Sequence, residues 1–165
     1  MTALRSERLV AEPIDIGHLR ELCRMHRDEQ VMATLGGLRS DDETAQFLAS
    51  SIAHWRTHDF GLWVWRDKAS GAFVGRAGIR RITLGERPEI ELAYALMSEY
   101  WSRGLATEIG RVLLDRASGM GLNNVVAFTL TTNTASQRVM QKLGMRYERD
   151  ISHFELPHAL YRTAG

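Results

Sequence analysis

The stretch Leu96-Met97-Ser98-Glu99-Tyr100-Trp101-Ser102-Arg103-Gly104-Leu105-Ala106-Thr107-Glu108 decides the fold, because the hydrophobic period changes inside it. Upstream, Ile90, Leu92, Tyr94 and Leu96 alternate with Glu91, Ala93 and Ala95, which is the period of a strand with Glu91 on its small-residue face. Downstream, Leu105, Ile109, Val112 and Leu113 keep helical spacing until Gly119 and Gly121 stop it. A strand therefore ends, a short loop follows, and a helix begins at Gly104. Unpaired backbone N–H groups and the helix dipole make such a start an anion site. Gly104 and Ala106 leave the backbone open to a phosphate, and Arg103 adds charge. The plainer reading is that Gly104 only lets a strand turn into a helix. A Walker loop is excluded because Gly104 is followed by Gly110-Arg111 at the wrong spacing, and no G-x-G-x-x-G string exists. Nucleoside triphosphate hydrolysis and dinucleotide redox chemistry fall away.

Working outward, Leu9 to Ile14 reads as a strand, and Asp15 caps a helix with the stripe Leu19, Leu22, Cys23 and His26. That helix, or a broken pair, ends near Gly36-Gly37. Ser40-Asp41-Asp42-Glu43 is a capping box opening a second helix through Phe47, Leu48, Ile52 and Trp55. Leu62 to Arg66 and Phe73 to Ile82 are strand-like runs separated by the polar turn Asp67 to Gly71, and Ile90 to Leu96 is the next. After the Gly104 helix, Asn124 to Leu130 is nearly continuously apolar, as in a strand covered on both faces. Asn133 opens a helix through Ala135, Val139 and Leu143 that Gly144 ends, and Tyr147 to Phe154 and Ala159 to Arg162 close the chain as strands. The order predicts an α/β fold: a mixed sheet with helices on both faces.

At 165 residues and 44% apolar, the chain fits one folded domain over 1–165 and is not disordered. Pro13, Pro88 and Pro157 fall where periodic segments change, and no linker, repeat or low-complexity tract interrupts the sequence. The formal charge of +1 provides no basic footprint for nucleic acid. Nineteen of the 21 basic residues are arginine, which leans toward planar anion recognition. Cys23 has no partner for a disulfide and reads as core. Arg5, Glu7 and Arg8 break any leader-like stretch, and no apolar run reaches the ~20 residues of a membrane span. The expectation is a soluble, cytoplasmic protein.

Three segments together resemble the GNAT superfamily of acetyltransferases: Glu91-Leu92-Ala93-Tyr94, Tyr100 to Glu108, and Asn133-Thr134-Ala135-Ser136-Gln137-Arg138-Val139-Met140-Gln141-Lys142-Leu143-Gly144-Met145. More closely, they are similar to the branch of RimJ/RimL-type ribosomal-protein N-terminal acetyltransferases, and the resemblance runs from Leu9 to about Arg162. The superfamily's loop is commonly written Q/R-x-x-G-x-G/A; here Trp101 stands first and Ala106 last, which removes one polar side chain and keeps the backbone. The resemblance implies a mixed, mostly antiparallel twisted sheet with a pantetheine cleft between splayed fourth and fifth strands. It implies acetyl-CoA as cosubstrate, with the amides from Arg103 through Gly104, Leu105 and Ala106 to Thr107 on the pyrophosphate. Asn133 would hold the pantetheine arm, and Arg138 and Lys142 the nucleotide end.

The reaction so implied is attack of an amine on a thioester carbonyl. It needs two reactants held together, an oxyanion stabilised, a proton removed and a thiolate helped away. Splaying would free backbone N–H groups near Leu96 and Met97 for the carbonyl oxygen. Glu91 is the candidate base, through water; the alternative is a structural carboxylate paired with Arg76 or Arg80, and Glu89 and Glu99 are weaker candidates. Ser136, from N-x-x-S, is the candidate acid, with helix capping as its plain alternative and Tyr147 and Tyr161 as substitutes. Direct transfer in a ternary complex is expected, not covalent catalysis through Cys23.

No metal is expected. His54 and His58 have ligand spacing but lack the Glu of H-E-x-x-H and a third ligand. Trp55, Trp63 and Trp65 read as core, the alternative for Trp63 or Trp65 being the lining of the acceptor pocket. The favoured acceptor is a protein or peptide N-terminus; small amines such as polyamines or aminoglycoside-like compounds stay open, because the variable segments around Gly36-Gly37 and Leu84 to Arg87 would build that pocket. A non-catalytic acyl-CoA-binding module is the rival class. No nucleic-acid or membrane partner is expected, and the chain would act as a monomer or homodimer.

Overall fold

Caps set the helix boundaries. In the computed structural model, which describes residues 3–164, Asp15 accepts from Gly17 N and starts a short 3-10 turn, Ile16–His18, that leads into α1 (Leu19–His26). Asp28 then accepts from Gln30 N and Val31 N and opens α2 (Glu29–Met32), so the first helical region is a broken pair. Ser40 and Glu43 form the reciprocal capping box of α3 (Asp41–His58), which ends at Asp59 with φ 61°. Two more helices follow, α4 (Leu105–Gly119) and α5 (Thr134–Lys142).

The strands are β1 (Leu4–Arg5), β2 (Leu9–Pro13), β3 (Leu62–Asp67), β4 (Phe73–Leu84), β5 (Arg87–Leu96), β6 (Val125–Leu130), β7 (Met145–His153) and β8 (Leu156–Thr163). They make one sheet in the order β1-β2-β3-β4-β5-β6-β8-β7, antiparallel throughout except for the parallel pair β5·β6. The mixed, mostly antiparallel architecture expected from the sequence is therefore present. Short β1, whose Leu4 and Arg5 lie opposite Ala11 and Val10, is additional, so the expected fourth and fifth strands are β5 and β6. The Leu84 to Arg87 segment is a tight continuation of the β4·β5 hairpin, with Leu84 opposite Arg87 and Gly85 at φ 61°.

Helices cover both faces. Arg76 of β4 bonds His26 of α1. Tyr94, one residue out of phase on β5, bonds Ser136 of α5 instead. Trp63 and Trp65 are fully enclosed, with the Arg116 guanidinium of α4 5.3 Å from the centre of the Trp63 ring. Leu9, Leu22, Leu48, Leu92, Ile109 and Leu113 belong to the same continuous apolar core, beside buried Cys23.

Close packing of β3 on β4 depends on a missing side chain. A Cβ at Gly78 would lie 2.1 Å from the Gly61 carbonyl oxygen and 2.6 Å from the Leu62 Cα, both backbone atoms. Gly78→Ala is expected to push the two strands apart and cost about 1–3 kcal/mol, the range for overpacked sites. A urea-unfolding midpoint equal to that of the wild type would disprove the close approach.

Candidate active site

The β5·β6 ladder is short. Its register pairs are Ile90 with Val125 and Glu91 with Val126, after which the two strands diverge. On the outer sides pairing continues, β4 following β5 to the Gly75 and Leu96 pair and β8 following β6 to the Leu130 and His158 pair. A wedge-shaped gap thus opens from Glu91 toward the ends of both strands. Met97 N donates to Val74 O at 2.8 Å, so the expectation of a free Met97 amide is corrected: the ladder to β4 takes it. By the alternation of antiparallel pairing, that bond turns the N–H groups of Leu92, Tyr94 and Leu96 away from β4 and toward the gap. The Leu96 carbonyl accepts from Trp101 Nε1 at 2.9 Å, which ties the following loop to the strand end.

The helix start lies at the mouth of this gap. Gly104 has φ 75° and no side-chain cap, and Glu108 N makes the first helical bond, to Gly104 O. The amides of Gly104, Leu105, Ala106 and Thr107 have no acceptor among the described residues. Arg103 is exposed, its guanidinium 5.5 Å from the Tyr100 ring centre.

Arg8 is a cation here that the sequence reading missed. Its Nη1 donates to Arg103 O at 2.9 Å, and its Nη2 lies 3.7 Å from where a Cβ on Gly104 would stand. Arg8 is held by Glu108, which accepts from its Nε at 2.8 Å and its backbone N at 2.9 Å. Burial alone would raise the Glu108 carboxyl; hydrogen bonds from Ser6 and Arg8 hold it below its ordinary value. One hundred residues separate Arg8 from Glu108, so no local signal marks the pair.

Across the gap, Asn133 caps α5. Its Oδ1 accepts from Ser136 N at 3.2 Å and its Nδ2 donates to Thr129 Oγ1 at 3.1 Å. Ser136 Oγ lies 2.8 Å from the Tyr94 hydroxyl, which also donates to Ser136 O at 3.1 Å. Burial, only partly offset by the Ser136 contact, pushes the Tyr94 phenol up to about 12, so it stays protonated as a donor. Tyr94 is a second residue the sequence reading missed as a polar group. Arg138 and Lys142 lie exposed one turn apart on α5. The tyrosines named from sequence are engaged elsewhere. Tyr147 donates to Asp150 Oδ1 at 2.9 Å, and buried Tyr161 donates to Gln137 Oε1 at 3.1 Å.

At the apex, buried Glu91 accepts from Arg80 Nε at 2.6 Å. Of the two partners considered, Arg80 is the one bonded. Glu89 forms a bidentate pair with Arg162, and Glu99 is exposed. Behind Arg80, buried Arg76 donates from Nε to His26 Nε2 at 3.2 Å, and His26 Nδ1 meets Thr44 Oγ1 at 2.9 Å. Burial, then the charges of Arg76 and Arg39, pull the His26 imidazole down to about 3. His54 and His58 are not arranged as ligands: His54 Nδ1 lies 2.9 Å from Phe60 O and its Nε2 accepts from Arg81 N at 2.9 Å. No group of three or more His, Cys, Asp or Glu among the described residues is placed to hold a metal ion.

The family described as "Acetyltransferase (GNAT) domain" matches residues 8–146. The chain belongs to that family. GNAT enzymes use acetyl-CoA, and the wedge with bare amides at its mouth suits an extended arm ending in a diphosphate. The chain is 28% identical over 138 residues to the uncharacterised protein YkkB of Bacillus subtilis, covering 83% of this chain and 80% of the relative. A putative GNAT-family acetyltransferase from Bordetella pertussis superposes with a TM-score of 0.87 at 26% identity, covering 99% of this chain and 100% of that one. The ribosomal-protein-S5-alanine acetyltransferase of Vibrio fischeri shares the fold, with a TM-score of 0.80, 18% identity, and coverage of 99% and 96%. This GNAT protein is an N-acetyltransferase.

The buried imidazole predicts an acid-sensitive fold. Unfolded, His26 binds a proton below about 6.5; folded, it stays neutral down to about 3. The stability this neutrality contributes is complete above pH 6.5 and is lost as pH falls toward 3, by up to ~1.4 kcal/mol per pH unit. Urea unfolding against pH should show a shallower decline for His26→Gln than for the wild type, and equal slopes would remove His26 as the cause.

Proposed function

We propose that this GNAT enzyme transfers the acetyl group of acetyl-CoA to a primary amine within the wedge between β5 and β6, with a protein or peptide N-terminus as the favoured acceptor. It would act as a single acetyltransferase domain over 1–165, in the cytoplasm, as a member of the RimJ/RimL-type branch. The reading is carried by one observation: two strands part at Glu91 while the bare N-terminal turn of α4 lies at the wider end.

In this reading the amides of Arg103, Gly104, Leu105, Ala106 and Thr107 take the diphosphate, with Arg8 and Arg103 supplying charge. Asn133 supports the pantetheine arm, and Arg138 and Lys142 meet the nucleotide end. The Leu96 N–H, turned to the gap, donates to the thioester oxygen as negative charge develops there. Glu91, hydrogen-bonded by Arg80, receives the amine proton through a water. The new C–N bond forms as C–S breaks, and the departing sulfur takes a proton from Ser136 Oγ as Ser136 takes one from the Tyr94 hydroxyl; solvent then returns a proton to Tyr94 and removes the one held by Glu91. A small amine is the alternative acceptor.

Thiol release from acetyl-CoA against a panel of amines tests this reading. Gly104→Glu, which puts a carboxylate into the phosphate cradle, should weaken acetyl-CoA binding at least ~10-fold, about 1.4 kcal/mol. Unchanged affinity removes the cradle from the account. Glu91→Gln and Ser136→Ala should each slow turnover ~10-fold or more at similar cofactor affinity, within the range for lost proton transfer. Wild-type rates across pH would eliminate the residue concerned.

A further inference from the structure

A cavity of about 260 Å³ lies between α3 and β4, with Phe47, His54, Arg80 and Arg81 in its lining. It reaches the apex of the wedge through Arg80, whose Nε holds Glu91. Its ionic surroundings are lopsided. Around Phe47, which walls it, the guanidinium of Arg76 sits 4.5 Å from the ring centre and that of Arg39 5.2 Å. Arg80 and Arg81 line the cavity directly. Against these four cations stand Glu91, already engaged by Arg80, and Glu43, engaged in the capping box of α3.

Neither Arg39, Arg76 nor Arg81 forms an ion pair with a carboxylate among the described residues. Arg76 is the most telling. It is only 5% exposed, yet its polar partner is a neutral imidazole, and no protein acceptor among the described residues takes its Nη groups. Arg76 and Arg39 register the crowding. Burial first, then Arg39 and Arg80, brings Arg76 down to about 9, and Arg39 is lowered by burial and by Arg80. Arg76 is thus a buried cation with no anionic partner among the described residues, and an anion entering beside it would gain charge-assisted hydrogen bonds.

We propose that the acceptor amine carries an anionic group, a carboxylate, that docks in this arginine-lined cavity while the amine reaches Glu91 at the apex of the wedge. The proposal rests on the acetyltransferase reading above and narrows its acceptor. Polycationic amines are disfavoured, because they would set like charges against Arg39, Arg80 and Arg81. The carboxylate has two sources, a small amino acid or an acidic residue near a peptide N-terminus.

Two matched pairs separate these sources: β-alanine against β-alaninamide, and the C-terminally amidated tripeptides Ala-Glu-Ala and Ala-Gln-Ala. Spermidine serves as the cationic control. Thiol release should show kcat/KM at least ~10-fold higher for the acidic member of a pair, and the pair that shows it identifies the source. Arg81→Gln, at an exposed position, and Arg39→Gln should each move that ratio toward one. Equal rates within both pairs, spermidine as the fastest substrate, or a preference that both variants keep would overturn the proposal and leave acetyl transfer standing. Absence of thiol release from every amine would instead count against acetyl transfer. Calorimetry with the CoA-saturated protein then decides the anion site: binding of an acidic member but not its amide supports it, and equal or absent binding overturns it.

Discussion

Everything at the site depends on where one ladder stops. Backbone N–H and C=O groups in a sheet must find partners, and β5 and β6 find each other only around Ile90, Glu91, Val125 and Val126. Because β4 and β8 go on pairing outside, the strands stay ordered after they part, and one edge of each is left to face the gap. An extended ligand with amide groups can complete such edges as another strand would. The Arg80 and Glu91 pair stands where separation begins. Glu91 is the buried member of that pair, so removing Arg80 would strand its charge.

The crossover from β5 to β6 explains why an anion site faces the wedge. In a strand-helix-strand unit the helix starts where the first strand ends, so the positive end of its dipole falls at the mouth of the gap between the parallel strands. Here the loop is fastened twice. Trp101 grips the Leu96 carbonyl, and Arg8 reaches from the start of β2 to Arg103 O and Glu108. The second fastening leaves one face of a guanidinium beside Gly104, adding a fixed charge to the bare amides without adding a side chain to the turn.

Local chemistry was legible in the sequence. The Ser40 and Glu43 capping box, the Asn133 cap and the strand-to-helix junction at Gly104 each involve residues a few positions apart, and all are present. The first helical stretch reads as one helix or a broken pair, and Asp28 makes the break. What escaped were groups whose meaning comes from residues far along the chain. Arg8 became visible only beside Glu108, and Tyr94 only against Ser136, which lies 42 residues on. The direction of the Met97 amide is hidden for a related reason: which N–H groups face the gap follows from ladder parity, and parity needs the Val74 pairing to be known.

The neutral histidine behind the cavity has a consequence for charge. Arg76 needs a hydrogen-bond acceptor for its buried Nε, and a carboxylate at position 26 would supply one while cancelling the positive charge. His26 supplies a nitrogen lone pair and cancels nothing. The imidazole can do so only while unprotonated, which is the state that burial and the neighbouring arginines enforce. Thr44 Oγ1, at Nδ1, completes the ring's bonding and fixes the tautomer that presents Nε2 as the acceptor. The arginine is thereby held in place with its charge intact. The same arrangement that makes the fold sensitive to acid leaves a positive field beside Phe47 for a ligand to meet.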